Sequence, residues 1–289
     1  MWLEAVEQAC DMMVMTPYPG FEGRYFSMPT RNVVPKPVQK PHPPLWVAFS
    51  SRAMIHEAAR RGIGALTFAF LEPEEARTWV EDYHRTFAAE RVPIGHAVNP
   101  RVAMVTGFSC HRDHDEAQRR GVEGFDFFKY GLGHHYGFGQ HKPGHTSLWA
   151  DFEEARSKRW AETESALDAD PFTRSLYDVR GLGTPGELAA RYASFEAAGV
   201  DQIIFLQQSG RNRHEHICEA LELFAMSVMA PFKDRHDKSR AARDAALEPA
   251  TARAMARKER RQALGEAATP VVSAVRPDLP PLPAPGTAG

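Results

Sequence analysis

The chain has 289 residues, of which 43% are hydrophobic, 25% charged and 10% aromatic, enough apolar material for a sizeable core. Lys and Arg total 35 against 37 Asp and Glu, a formal net charge of −2, so a nucleic-acid partner bound by phosphate neutralisation is not expected. The longest uncharged apolar runs, Leu45–Ser50 and Gly64–Phe70, are far short of a membrane span, Glu4 and Glu7 interrupt any secretory signal, and the scattered Cys10, Cys110 and Cys218 outline neither a disulfide framework nor a thiolate zinc site, so a cytoplasmic protein is expected.

Leu3, Val6, Cys10 and Met13 share one helical face at the start of the chain. The stretch Thr16–Pro44 is too rich in proline for a helix and predicts an ordered extended arm. Leu45–Phe49 then reads as a strand buried on both faces. Arg52–Arg61 follows as a helix with Ala53, Ile55, Ala58 and Ala59 inward, stopped by Gly62. Gly64–Phe70 is a second strand, Pro73–Glu90 a helix with proline in its first turn, and Arg101–Phe108 a third strand. Asp113 and Glu116 have capping-box spacing and open another helix. Pro185–Ala198, ended by Gly199, is a helix; Asp201–Leu206 is a fourth strand and His214–Val228 a final long helix. Alternating strands and helices imply a parallel α/β sheet. Neither a dinucleotide-binding glycine fingerprint nor a P-loop follows any strand, which leaves a TIM-barrel type of fold, here a partial barrel of about four parallel strand–helix units.

Composition changes near Lys233. The expected organisation is a partial barrel domain over 1–235, a charged helical extension over 236–268 broken at Pro249, and a proline-rich disordered tail over 269–289. The basic cluster Arg257–Arg261 reads as a solvated face.

Several runs carry a family resemblance: Trp2–Ala5 (WLEA), Phe21–Phe26 (FEGRYF), Pro35–Pro44 (PKPVQKPHPP), Trp46–Ala48 (WVA), Gly183–Glu187 (GTPGE), Ala198–Gln202 (AGVDQ) and Leu221–Phe232 (LELFAMSVMAPF). Together, over roughly residues 1–232, they resemble the bacterial luciferase-like monooxygenases. The resemblance implies a TIM barrel that uses reduced FMN, or alternatively a deazaflavin coenzyme, supplied with reducing equivalents by a separate flavin reductase. It implies a flavoprotein oxidoreductase, a monooxygenase acting with O2 on a small organic substrate, and a homo-oligomer without nucleic-acid or membrane partners. Laid on that pattern, Leu45–Phe49 corresponds to the fifth barrel strand, and the first four strands are expected before Met1. The alternative is a catalytically inactive half-barrel remnant that binds flavin or dimerises.

The C-terminal ends of the strands are where such a site would lie. Ser50, Ser51 and Arg52 follow the first strand at a helix start, a natural place for a phosphate; the resemblance matches Ser51 to the family serine, finds Ser50 where an acid is expected, and Met54 where threonine is frequent. The bland reading of either serine is an N-cap. Gln207, Gly210 and Arg211 follow the last strand, with Gln208 and Ser209, as further cofactor-binding candidates; the bland reading is a polar loop ahead of a helix beginning at Asn212. Gly131–His145 reads either as an inert surface loop or as a lid, from which His134, His135 or Tyr136 would reach cofactor or substrate. His141 and His145 have a possible ligand spacing, but Pro143 and Gly144 between them argue against a metal site, the basis of a rival metal-dependent hydrolase. Cys110 beside His111 and His114 lacks an oxyanion donor for nucleophilic chemistry.

Overall fold

The computed structural model describes residues 1–49, 51–68, 70–89, 92–159 and 181–271. The chain divides into two compact units, Met1–Pro43 with Glu259–Gly289, and Pro44–Lys258.

In the first unit α1 (Trp2–Val14) precedes a short antiparallel hairpin, β1 (Phe21–Glu22) with β2 (Ser27–Met28). The arm is ordered, as its prolines suggested. The buried face of α1 differs from the expected apolar stripe: Gln8, Cys10 and Asp11 are buried while Leu3 is exposed. The reason is a polar lock. Tyr18 Oη donates to Gln8 Oε1 (2.7 Å), and Arg261 donates to Gln8 Oε1 (2.8 Å), Asp11 Oδ2 (3.4 Å) and the Gly20 carbonyl (2.6 Å). Arg261 is exposed, as expected of the basic cluster, but its guanidinium also faces inward to give the buried Asp11 carboxylate a cation.

The second unit holds a four-stranded, all-parallel sheet in the order β3 (Trp46–Phe49), β4 (Gly64–Thr67), β5 (Val102–Gly107) and β8 (Gln202–Leu206). Helices α2 (Ala53–Arg60) and α3 (Pro73–Ala88) make the first two crossovers. Gly62, at φ 67°, turns the chain from α2 back into the sheet, as expected of a helix-stopping glycine. The third crossover is long. After β5 a short β6 (Ser109–Cys110) pairs in parallel with β7 (Leu182–Gly183), and between them lie α4 (His114–Gly133) and α5 (Leu148–Arg159). α4 opens on Asp113, whose carboxylate accepts from Glu116 N at 2.8 Å. α6 (Pro185–Ala197) opens on a reciprocal Thr184/Glu187 capping box and leads to Gly199, at φ 89°. After β8, α7 (His214–Phe224) passes through a π-helical turn, Ala225–Met229, into α8 (Ala230–Ala256).

Burial grades across the sheet. All six residues of β5 are buried, whereas Trp46 and Ala48 of β3 and Gln202 of β8 are exposed. Leu45–Phe49 is thus an edge strand among the described residues rather than one buried on both faces, its Trp46 and Ala48 being exposed. Nor does Pro249 break the C-terminal helix. α8 runs through it and buries Ala250 and Ala254 beyond, so local packing outweighs the one missing N–H. Most of α8 is exposed, as its composition suggested, with ion pairs along it: Arg243 and Arg101 pair with Asp201, and Asp244 pairs with Arg101; just beyond the helix Lys258 donates to the Pro93 and Ile94 carbonyls. Of the proline-rich tail, residues 272–289 lie outside the described residues.

Candidate functional site

In a parallel sheet the strand ends carry the chemistry, because the loops there are free to vary and the following helices point their positive ends at them. The end of β3 leads through Ser50, which lies outside the described residues, to Ser51 and Arg52, both exposed. The N-cap reading does not fit Ser51: the cap position is Arg52, with no side-chain cap hydrogen bond to α2. Ser51 gives its carbonyl to Met54 N (3.1 Å), leaving its hydroxyl toward solvent at an uncapped helix start. Arg52 turns away to Asp82 on α3, with Nε and Nη2 donating to Oδ2 at 2.8 and 2.5 Å. Burial alone would raise the Asp82 carboxyl, but the Arg52 hydrogen bonds hold it below its ordinary range. Arg52 is consequently a positioning group for the loop before α2.

At the end of β8, Gln207 gives its carbonyl to Asn212 Nδ2 (2.7 Å) and Ser209 Oγ donates to the Gly124 carbonyl (2.7 Å). Gly210, at φ 58°, lies where a Cβ would come within 2.9 Å of the Trp149 ring. Arg211 stacks over Trp149 at 4.4 Å and reaches Glu153 at 3.5 Å. The loop is therefore a docking platform for α4 and α5, and α7 begins at His214 rather than Asn212. β3 and β8 sit at opposite edges of the sheet, three strand spacings or roughly 14 Å apart, so a single phosphate does not touch both loops.

Between the edges, α4 lies over the sheet's C-terminal end. Gly107 closes β5, and a Cβ there would stand 2.8 Å from Phe125 Cδ2; the bare glycine admits the ring. Phe70 meets Phe125 edge-on at 5.3 Å and Phe128 at 6.4 Å. Lys129 Nζ stands 5.0 Å from the Phe125 centroid and 3.0 Å from Asp126 Oδ1. Phe70 adopts φ 52°, a left-handed conformation rare for a bulky residue. This aromatic group escaped the sequence reading: positive φ leaves no mark in a phenylalanine, and Phe125 and Phe128 read as ordinary helix residues.

The expected lid loop is largely helical, since α4 reaches Gly133 and continues as a π turn over His134–Phe138. It gathers the rings of His134, His135 and His141 at centroid separations of 5.4 to 6.2 Å. His134 is buried beside Tyr130 and Phe138, while Tyr136 is exposed. His134 lies nine residues beyond Phe125, roughly 13 Å along the helix. Among the described residues no three His, Cys, Asp or Glu side chains are placed to hold a metal ion. Cys110 is buried, which pushes its thiol up to about 11; His111 accepts from Asp113 N (3.1 Å), and His114 Nδ1 lies 3.0 Å from Glu187 Oε2. These three groups point to separate partners.

A groove of about 870 Å³ lies toward the N-terminal ends of β3 and β8, lined by Trp46, Arg101, Tyr192, Gln202, Phe205 and Phe232 among others. A pit of only about 10 Å³ lies nearer the C-terminal strand ends, between Phe108, Arg120, Gln207 and His216.

The match to a family model decides the affiliation: residues 2–202 match the luciferase-like monooxygenases. The chain belongs to that family. Its match ends at the first residue of β8, so the closing run Leu221–Phe232 lies beyond it. Among solved structures, the chain is similar to a coenzyme F420-dependent tetrahydromethanopterin reductase from Methanopyrus kandleri, at 16% identity and TM-score 0.52, covering 80% of this chain and 62% of that one. It is similar also to the oxygenating constituent of 3,6-diketocamphane monooxygenase from Pseudomonas putida, in complex with FMN, at 18% identity and TM-score 0.50, covering 78% and 61%. The chain thus spans about three fifths of the length of the structures it matches. None of the curated proteins matches it.

Proposed function

We propose that the chain belongs to a flavin-dependent oxidoreductase, a luciferase-like monooxygenase that uses reduced FMN, delivered by a reductase, and O2 on a small organic substrate. The observation that carries this reading is the family match over residues 2–202. The residues present fit the group in two respects: an uncapped helix start with an exposed Ser51 suits a phosphate, and the partly exposed Phe70 and Phe128 rings, backed by the buried Phe125, suit the apolar face of a flavin. A reduced flavin, when bound, supplies the electrons for oxygen activation. This chain's own part is to hold the phosphate at Ser51 and the first turn of α2, to keep that loop in place through Arg52 and Asp82, and to exclude water with the aromatic group under α4.

The test is a fluorescence titration of the full chain with FMN, riboflavin and a deazaflavin coenzyme. Saturable FMN binding near one per chain is expected. Ser51→Glu should weaken FMN roughly tenfold through charge repulsion while leaving riboflavin, which has no phosphate, nearly unchanged. Preference for the deazaflavin would reassign the cofactor within the same seat. Absence of saturable binding by all three sinks the reading and favours the inactive half-barrel, to which the engagement of Arg52 and Arg211 in ion pairs already lends support.

A further inference from the structure

We propose that His134, His135 and His141 form an acid-sensitive hinge between α4 and α5, the π turn His134–Phe138 opening when this cluster takes up protons. The inference stands on the histidines, independently of the flavin reading.

α4 ends at Gly133 and the chain continues directly into the π turn. The Gly139 amide closes that turn by donating to the His134 carbonyl, five residues back, at 2.9 Å. Such widened turns are rare and recur at functional positions. The His134 ring lies inside. It is 6% exposed, with Tyr130 and Phe138 each at a ring separation of 6.1 Å, and a Cβ on Gly139 would come within 2.3 Å of its Cγ. Its Nε2 is buried without a hydrogen-bond partner among the described residues. A neutral imidazole bears that at a modest cost, whereas an imidazolium in the same place would hold an unsolvated charge.

The other two rings bring further charge to the same spot. His135 and His141 are exposed, lie 5.4 and 6.2 Å from His134, and are 6.1 Å from each other. The titratable side chains facing His134 are thus Tyr130 from α4, His135 on the turn and His141 on the loop that follows. α5 turns Phe152 toward Tyr130 and Leu148 toward Gly131. Among the described residues the histidine paired with a carboxylate is His114, not one of these three. Nor are three such groups placed among them to hold a metal ion. Protons are then the ligand that this cluster takes up.

The direction of the response follows from where each charge would sit. In the closed turn a proton on His135 or His141 sets like charge about 6 Å from the neighbouring rings. A proton on His134 has neither water nor an acceptor to face. Opening the turn removes both penalties, so the open form binds more protons and acid favours it. The corner joins two supports of the strand-end loops. α4 seats Phe125 over Gly107, and α5 carries Trp149, on which Arg211 stacks at 4.4 Å. An opened corner slackens the connection between them.

Amide exchange of the full chain at about pH 7.5 and about pH 5.5, corrected for the intrinsic pH dependence of exchange, tests this. One extra proton in the open form lowers the protection of the Gly139 amide roughly tenfold between those values. The β5 amides should keep their protection. His134→Phe fills the same apolar pocket with a ring that takes no proton, and should hold Gly139 protection at both values. Unchanged Gly139 protection in the unaltered chain overturns the proposal. So does an equal loss across β5, which would be general acid unfolding, or an equal loss in His134→Phe. Should that variant lose its helical circular dichroism, the His134 ring resonance of the unaltered chain decides. Titration in step with the loss of Gly139 protection supports the hinge, and titration while Gly139 stays protected sinks it.

Discussion

Gly107 shows how much one missing methyl can decide. Its bare α-carbon lets the Phe125 ring settle over the end of β5, and Phe70 then packs on that ring. Gly107→Ala forces the ring or the strand to move and should cost about 1–3 kcal/mol, read as a lowered thermal midpoint; Phe125→Leu in the same chain should recover part of it. A second residue-scale expectation concerns pH. His114 donates to Glu187, as do the Thr184 amide and hydroxyl, and these bonds hold the Glu187 carboxyl at about 2 rather than 4.5. The same His114 bond raises the imidazole above 6.5. Glu187's contribution to stability is present above pH 4.5 and fades as pH falls toward 2; His114's is present below 6.5 and fades as pH rises past its raised value. Both act together between pH 4.5 and 6.5. The midpoint deficit of His114→Ala should therefore be greatest in that window and vanish at alkaline pH. A deficit independent of pH would mean that His114 contributes by packing alone.

At the scale of elements, caps and clamps make separable predictions. Asp113→Ala removes the acceptor for Glu116 N and should cost about 1 kcal/mol, loosening α4 where it enters the site. Asp201 accepts from Val102 N (2.8 Å) and faces both Arg101 and Arg243. Asp201→Ala leaves two cations short of a partner and should cost about 3 kcal/mol, detected by urea unfolding. Much of this level was legible beforehand. The four strands of the parallel sheet, the helix-stopping Gly62 and Gly199, and the Asp113 cap could be read because each depends on a few neighbouring side chains. Two features could not. Arg261 is locked to Gln8, Asp11 and Gly20 by contacts about 250 positions apart, whereas local composition speaks only for its solvated side. The edge position of Leu45–Phe49 is set by the strand order among the described residues, whereas its apolar run speaks only of burial. The sequence placed Ser51 and Arg52 after β3 and Gln207, Gly210 and Arg211 after β8, where they lie, but not that Arg52 and Arg211 are drawn into ion pairs, because their acidic partners are 30 and 58 residues away.

At the scale of the whole molecule, the family match and the parallel sheet place this chain on a barrel pattern whose complete form has eight strands, with four in the parallel sheet of the described residues. The pairing distances along the chain are very unequal. Trp46 pairs with Gly64, 18 positions on, and Ala65 with Val102, 37 positions on, but Ala103 waits for Gln202, 99 positions on. Closing that last loop costs about 1.5 kcal/mol more chain entropy than closing the first. During refolding β8 should consequently dock late, after β3, β4 and β5 have assembled, and β5 should spend that interval with its apolar side uncovered. Pulse-labelled exchange should find the β3–β4 amides protected before those of β8. In that interval the growing sheet is most prone to capture by a neighbour, so recovery of native protein should fall with rising concentration even where the folded chain is stable.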